Sequence, residues 1–247
     1  MKDIEQNYED FISTVSHELR TPLTSIRGFA QTMLSSWDKL DDESKKKFIK
    51  IIEEQSNRLI HLVENMLSVT KLNSNNNLLV FNEASVNYLI EQTITIVKSQ
   101  YPEHIFQFEA GKNLPNIFVD KDKFQQILTN VIENSAKYSQ GNTVTNIFTK
   151  NGDNSIIIEI ANTGLGISEE NYEKIFKKFA RIDNPLIRKI QGSGLGLFIT
   201  KSLIEKMGGT IEVSSIPISN SEFSTITFTL TIPLKSIEEE ARIKCNP

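Results

Sequence analysis

The sequence predicts two parts of different class, an N-terminal α-helical hairpin and a following α+β sandwich. Three observations carry this. Apolar positions Phe48, Ile52, Leu59, Leu62, Met66 and Val69, with Gln55 in phase, recur at alternating steps of four and three, the seam of a helix packed against other helices. Asn73-Ser74-Asn75-Asn76-Asn77 then breaks the pattern with residues that have no helical period. Beyond it, stretches that alternate apolar and polar residues are interleaved with helical ones, as in a sheet covered by helices.

In the first part, Phe11, Val15, Leu19, Leu23 and Ile26 repeat the apolar stripe less strictly, and the 35–44 segment SSWDKLDDES separates the two helices with a turn and an N-cap. Two helices bury one stripe each, so a hairpin of this length is expected to pair with a second copy as a four-helix bundle and the chain to be a homodimer. The expected boundaries are 1–72 for the hairpin, 73–81 for the linker, 82–236 for the sandwich and 237–247 for a tail.

Within the sandwich, Asn87–Lys98 reads as helix, His104–Ala110 as strand and Lys121–Tyr138 as helix. Thr143–Lys150 and Ser155–Ala161 read as strands joined at Asn151-Gly152-Asp153, a good hairpin turn. Glu169–Phe176 and Leu195–Met207 read as helices, the latter capped by Gly208-Gly209. Thr210–Ser215 and Ser224–Ile232 are the expected closing strands.

The bulk composition narrows the function. A net charge of −4 gives no reason to expect a nucleic-acid partner. The one cysteine, Cys245, cannot form an internal disulfide, which fits a reducing compartment. No apolar run reaches the roughly 18–20 residues of a membrane-spanning helix.

His17 stands out. It lies two residues from both Val15 and Leu19, so it projects away from the stripe they define. Glu18 beside it could accept the imidazole proton at one ring nitrogen and leave the other free to attack phosphorus. Thr21, one turn on, shares its face, where the hydroxyl could orient a water. Pro22 removes a helical hydrogen bond and frees the carbonyl of Glu18, and the apolar spacing that continues past it predicts a kink rather than an end. His61 and His104 have no such setting and read as structural or solvated.

Further on, Asn130, Asn134 and Lys137 share one helix face. An amide oxygen suits Mg²⁺, and a lysine suits phosphate. NTGLGI at 162–167 follows a strand, and Gly164 and Gly166 are expected to let the backbone turn sharply and approach a flat ring. GSGLGL at 192–197 opens a helix whose amides can face phosphate oxygens. Either glycine string alone is weak; both together, after the asparagines, point to a nucleotide pocket.

SHELRTPL closely resembles the phosphoacceptor box of the sensor histidine kinases of two-component systems. The asparagine-bearing helix resembles the box shared by those kinases with Hsp90, gyrase and MutL. The resemblance runs from about residue 5 to 235 with each box in order. It implies phosphorylation of His17 from ATP, Glu18 as base and Thr21 as the residue of a phosphatase activity. It implies Asn134 as the Mg²⁺ ligand, with Asn130, Lys137, Tyr138, Asn162, Gly164, Gly166, Gly192, Gly194, Leu195 and Gly196 around the nucleotide. Arg181, Arg188 and Lys189 are the phosphate candidates of a lid, Arg188 matching best. The implied partner is a response-regulator receiver domain, with the linker as a hinge. The implied setting is the cytoplasm, with the chain an excised core of a larger, membrane-bound sensor.

The family usually carries aspartate at the position of Asn162, where it accepts a hydrogen bond from the adenine amino group. An amide can accept that bond without the charge, a loss of about 1 kcal/mol. The competing reading is therefore a nucleotide-deficient dimeric phosphatase or scaffold. An ATP-driven clamp of the Hsp90 or gyrase type is disfavoured by the SHELRTPL hairpin.

Overall fold

The computed structural model describes residues 2–72, 79–140, 143–180, 182 and 193–234, with side chains from residue 15 onward except that of residue 71. The chain divides into two compact units, Met1–Lys71 and Leu72–Pro247. No described helix is long and apolar enough to cross a membrane.

The first unit is a hairpin of α1 (Lys2–Ser36) and α2 (Asp42–Leu72) joined through a short 3₁₀ turn at Trp37–Lys39. Asp41 caps α2 by accepting from the Ser44 amide at 2.6 Å. Phe29 and Phe48 meet across the hairpin with ring centroids 5.2 Å apart. The α2 stripe is the covered face: Leu62 and Val69 are buried, and Phe48, Ile52, Leu59 and Met66 half-buried.

Pro22 sits inside α1, which runs on past it, so the helix does not end there. The stripe of α1 departs from expectation at Leu23, which is half-exposed, while Pro22 is buried. The cause is period: two steps of four from Val15 drift round the helix, whereas a step of seven returns Pro22 close to the same face.

The second unit holds the sandwich. Its short strands β1 (Asn82–Ala84) and β3 (Ile117–Val119) pair antiparallel and had no counterpart in the sequence reading. The main sheet has five strands: β2 (Ile105–Glu109), β4 (Val144–Asn151), β5 (Ser155–Leu165), β6 (Thr210–Pro217) and β7 (Phe223–Pro233). Their order is β2-β4-β5-β7-β6, with β2 and β4 parallel and the remaining pairs antiparallel.

Three helices, α3 (Val86–Gln100), α4 (Lys121–Lys137) and α5 (Gly196–Lys206), contact the sheet. α4 supplies the centre of the core with Phe124, Ile127, Leu128, Val131 and Ile132, all fully buried. These meet a sheet that buries alternate residues, among them Ile156, Ile158 and Ile160 of β5 and Leu230 and Ile232 of β7. Ser85 and Asp120 cap α3 and α4 by accepting from the Tyr88 and Lys123 amides. Gly208 and Gly209 close α5 with bonds to the Glu205 and Ile204 carbonyls.

Two sequence expectations are corrected. Glu169–Phe176 is not one helix but two 3₁₀ turns, Glu169–Asn171 and Lys174–Phe176. Eight residues are too few to repay helix nucleation without packing along their length, and only Ile175 and Phe176 are buried. NTGLGI does not turn sharply after a strand: β5 continues through Leu165, with Gly164 paired to Ser224 of β7.

Candidate functional site

In the hairpin, His17 is exposed on α1, as the stripe geometry requires. Among the described residues its ring makes no hydrogen bond. The Thr21 hydroxyl donates back to the His17 carbonyl at 3.3 Å, which keeps it on the histidine's face with its lone pairs open. Glu18 is half-buried and does not sit on the imidazole. Its carboxylate accepts from the Arg58 guanidinium of α2 at 3.2 Å. Both side chains are about four-fifths covered (23% and 18% exposed), so the pair is better shielded from solvent than a surface ion pair. Sequence reasoning missed Arg58, because no local signal links residues forty positions apart on two helices.

In the second unit, the C-terminal half of α4 and its cap meet both glycine segments. Asn130 donates from Nδ2 to the Thr200 hydroxyl of α5 at 2.8 Å, so this buried threonine fixes the amide. Gly196 lies against the other end of that amide, where a Cβ would overlap Asn130 Oδ1. Asn134 is half-buried, and its amide has no hydrogen-bond partner among the described residues. Lys137 and Tyr138 are half-buried at the helix end, with Lys137 Nζ 5.7 Å from the Tyr138 ring centroid. Tyr101 of the α3–β2 connection donates to Glu133 at 3.4 Å; burial and that carboxylate push its phenol up to about 12.

The chain after α4 returns along β5. The Gln140 amide donates to the Thr163 carbonyl at 2.9 Å and the Ser139 hydroxyl to the same oxygen at 3.2 Å. Gly164 lies directly beneath: a Cβ there would stand 2.6 Å from the Tyr138 carbonyl oxygen. Glycine is required here for close approach to the Tyr138 backbone, where the sequence reading expected close approach to a flat ring. At Gly166 the close contact of a Cβ would be with the Ser224 hydroxyl, which can move.

Asn162 lies in β5 opposite Thr145 of β4 and Ile226 of β7, and is 4% exposed. Its Nδ2 donates to the Thr163 carbonyl at 3.3 Å, and Oδ1 has no partner among the described residues.

Leu195 is fully buried and anchors the start of α5. Gly194 has φ of +66°, and a Cβ there would stand 2.7 Å from the Phe179 backbone. Phe179 itself has φ of 59°, an uncommon conformation for a bulky residue. Arg181, Arg188, Lys189 and Gly192 lie outside the described residues. No group of three or more His, Cys, Asp or Glu side chains able to hold a metal occurs among the described residues. The Asn134 amide oxygen, without a partner among the described residues, is an oxygen donor of the kind Mg²⁺ takes. His61 is exposed and 3.5 Å from Glu64, whereas His104 is buried and bonded to Thr145.

Two family models match the chain. Residues 8–75 match the model of the His Kinase A (phospho-acceptor) domain. Residues 119–236 match that of the histidine kinase-, DNA gyrase B- and HSP90-like ATPase. The chain is 35% identical over 218 residues to the signal transduction histidine-protein kinase ArlS of Staphylococcus haemolyticus, covering 87% of this chain and 48% of that protein. It is 33% identical over 249 residues to the sensor histidine kinase WalK of Bacillus subtilis, covering 96% and 38%. The chain thus spans about half or less of the length of these relatives.

Among solved structures, histidine kinase ThkA in complex with response regulator protein TrrA superposes with a TM-score of 0.71 at 26% identity, over 94% of this chain and 64% of that one. Histidine kinase AdeS of Acinetobacter baumannii shares the fold, with a TM-score of 0.65 at 23% identity over 88% of this chain and 98% of that one.

Proposed function

The chain belongs to the sensor histidine kinases of two-component systems, and from that premise we propose that it transfers the γ-phosphoryl group of ATP to His17 and then to an aspartate of a response regulator. The observation that carries the proposal is the meeting of Asn130 and the C-cap of α4 with the two glycine segments, in a chain that also presents an exposed histidine on an unbroken helix. In the first step a ring nitrogen of His17 bonds to phosphorus, and the bond from phosphorus to the bridging oxygen of the departing ADP breaks. Glu18 would leave Arg58 and take the proton from the other ring nitrogen.

Asn134 would hold Mg²⁺ through its amide oxygen, and the ion would neutralise charge on the phosphates. Asn130, Tyr138, Asn162, Gly164 and Gly166 would line the nucleotide, and Lys137 would offer its charge to phosphate. Gly194, Leu195, Gly196 and the first amides of α5 would face phosphate oxygens, as would Arg181, Arg188 and Gly192. The 73–81 segment would act as the hinge that brings pocket and histidine together. Thr21 would orient a water for hydrolysis of the regulator's acyl phosphate.

Two further observations support the partners. On α2, Ile49, Ile60, Val63 and Leu67 are 43–53% exposed in the single chain, an apolar face suited to a second copy in a four-helix bundle. ThkA is described in complex with a response regulator, and we place the same class of partner here, in the cytoplasm where ATP is available.

The test is incubation with γ-labelled ATP and Mg²⁺ alongside His17→Ala. Acid-labile, alkali-stable label present in the parent and absent from the variant is the expected result. Label that survives in His17→Ala would refute the assignment of the histidine.

A further inference from the structure

Asn162 carries a feature that catalysis alone does not require. A side chain 4% exposed normally has its polar atoms bonded, because an orphaned buried acceptor is costly. Here Oδ1 has no donor among the described residues. The one bond of the amide, Nδ2 to the Thr163 carbonyl at 3.3 Å, goes to an oxygen whose two lone pairs already receive the Gln140 amide at 2.9 Å and the Ser139 hydroxyl at 3.2 Å. A third and longest donor on a filled acceptor contributes little. Nδ2 also has a second proton beyond the one aimed at Thr163. The amide is thus held in place by the strand yet only loosely committed, with an acceptor and a donor both available.

A carboxylate at this point would offer acceptors alone. It would take the exocyclic amino group of adenine and repel the 6-oxo group of hypoxanthine or guanine. An amide matches either edge. Oδ1 accepts the amino group of a 6-aminopurine; with the amide turned, Nδ2 donates to a 6-oxo oxygen while Oδ1 stands near the N1 proton. Turning it gives up the long third bond to Thr163 and brings Oδ1 toward that carbonyl oxygen, a repulsion that the N1 proton of a bound 6-oxopurine offsets.

We propose that Asn162 makes this pocket permissive at purine position 6, so that it binds 6-oxopurine nucleoside triphosphates alongside ATP. The proposal rests on the kinase reading only in taking the pocket at Asn162 as the site of the base edge.

The test compares ATP with inosine triphosphate, which differs from it at position 6 and the adjoining N1 proton. GTP is a third ligand that adds the 2-amino group. Dissociation constants are measured by titration calorimetry on the unaltered chain and on Asn162→Asp, and histidine labelling is followed separately with each γ-labelled triphosphate. The expected result is an inosine-to-ATP preference within about tenfold for the unaltered chain, and a ratio shifted toward ATP by a further ~10- to 100-fold in Asn162→Asp, the range set by one unmet polar contact. An unaltered chain that prefers ATP over inosine triphosphate by about a hundredfold or more would overturn the proposal, as would failure to bind either triphosphate. Equal binding of both without any label on His17 would instead reject the kinase reading and leave the base inference standing. Because the first comparison uses the unaltered chain, a variant that fails to fold does not remove the test.

Discussion

Gly164 and the Glu18–Arg58 pair show how single residues set the two sites. A methyl group at Gly164 has no room, because the obstacle is the Tyr138 backbone oxygen at 2.6 Å and not a side chain that could swing away. Gly164→Ala should therefore force β5 away from the end of α4, costing about 1–3 kcal/mol of overpacking and weakening nucleotide binding in the same variant. Thermal melting and titration with ATP check both; an unchanged melting temperature would show that the contact is not tight. In the hairpin the Glu18 carboxylate is held by Arg58. Glu18→Gln should lower the rate of His17 labelling by about a hundredfold or more, the usual contribution of a general base, while leaving the affinity for ATP as it was. An equal loss in affinity would mean that the residue acts through folding and not on the imidazole proton.

At the scale of elements, the joint between β2, β4 and α4 contains a titratable group. His104 is buried, bonded through Nε2 to the Thr145 hydroxyl at 2.8 Å, and Thr145 meets the Ser135 hydroxyl at 3.0 Å. Burial holds the imidazole below its ordinary 6.5. As pH falls through about 6.5 the unfolded chain takes up a proton that the folded chain does not, so stability is full above that pH and declines below it. His104→Gln should flatten that acid-side decline in a pH series of melting temperatures; a slope unchanged by the substitution would place the acid sensitivity elsewhere. How legible such elements were in sequence depends on how much of their pattern is local. The α2 stripe was readable because each covered residue follows from the heptad spacing, and β5 and β7 because their burial alternates. β1 and β3 were not, since three residues carry no period and their pairing spans the intervening chain. The NTGLGI segment was located but misread as a turn, because Gly164 answers to the backbone of Tyr138 at the end of α4. His17, Asn130 and Asn162 were visible as residues; Arg58 and Thr200, which hold Glu18 and Asn130, were not, for they come from distant positions.

The whole molecule is two units with different reasons to be stable. The second has a continuous core under α4 and should fold by itself, and a ligand that binds only its folded form raises its stability by mass action. The hairpin has one covered stripe and a second apolar face left open at Ile49, Ile60, Val63 and Leu67, so its stability should depend on a second copy and hence on protein concentration. Two calorimetric transitions are therefore expected, one rising with protein concentration and the other with ATP. Ile60→Glu places a charge on the open face and should convert the chain to a monomer by sedimentation, lowering the first transition and leaving the second, with its response to ATP, intact. A charge there that left the chain dimeric would show that the copies meet through some other surface, and the open face of α2 would then need a different partner.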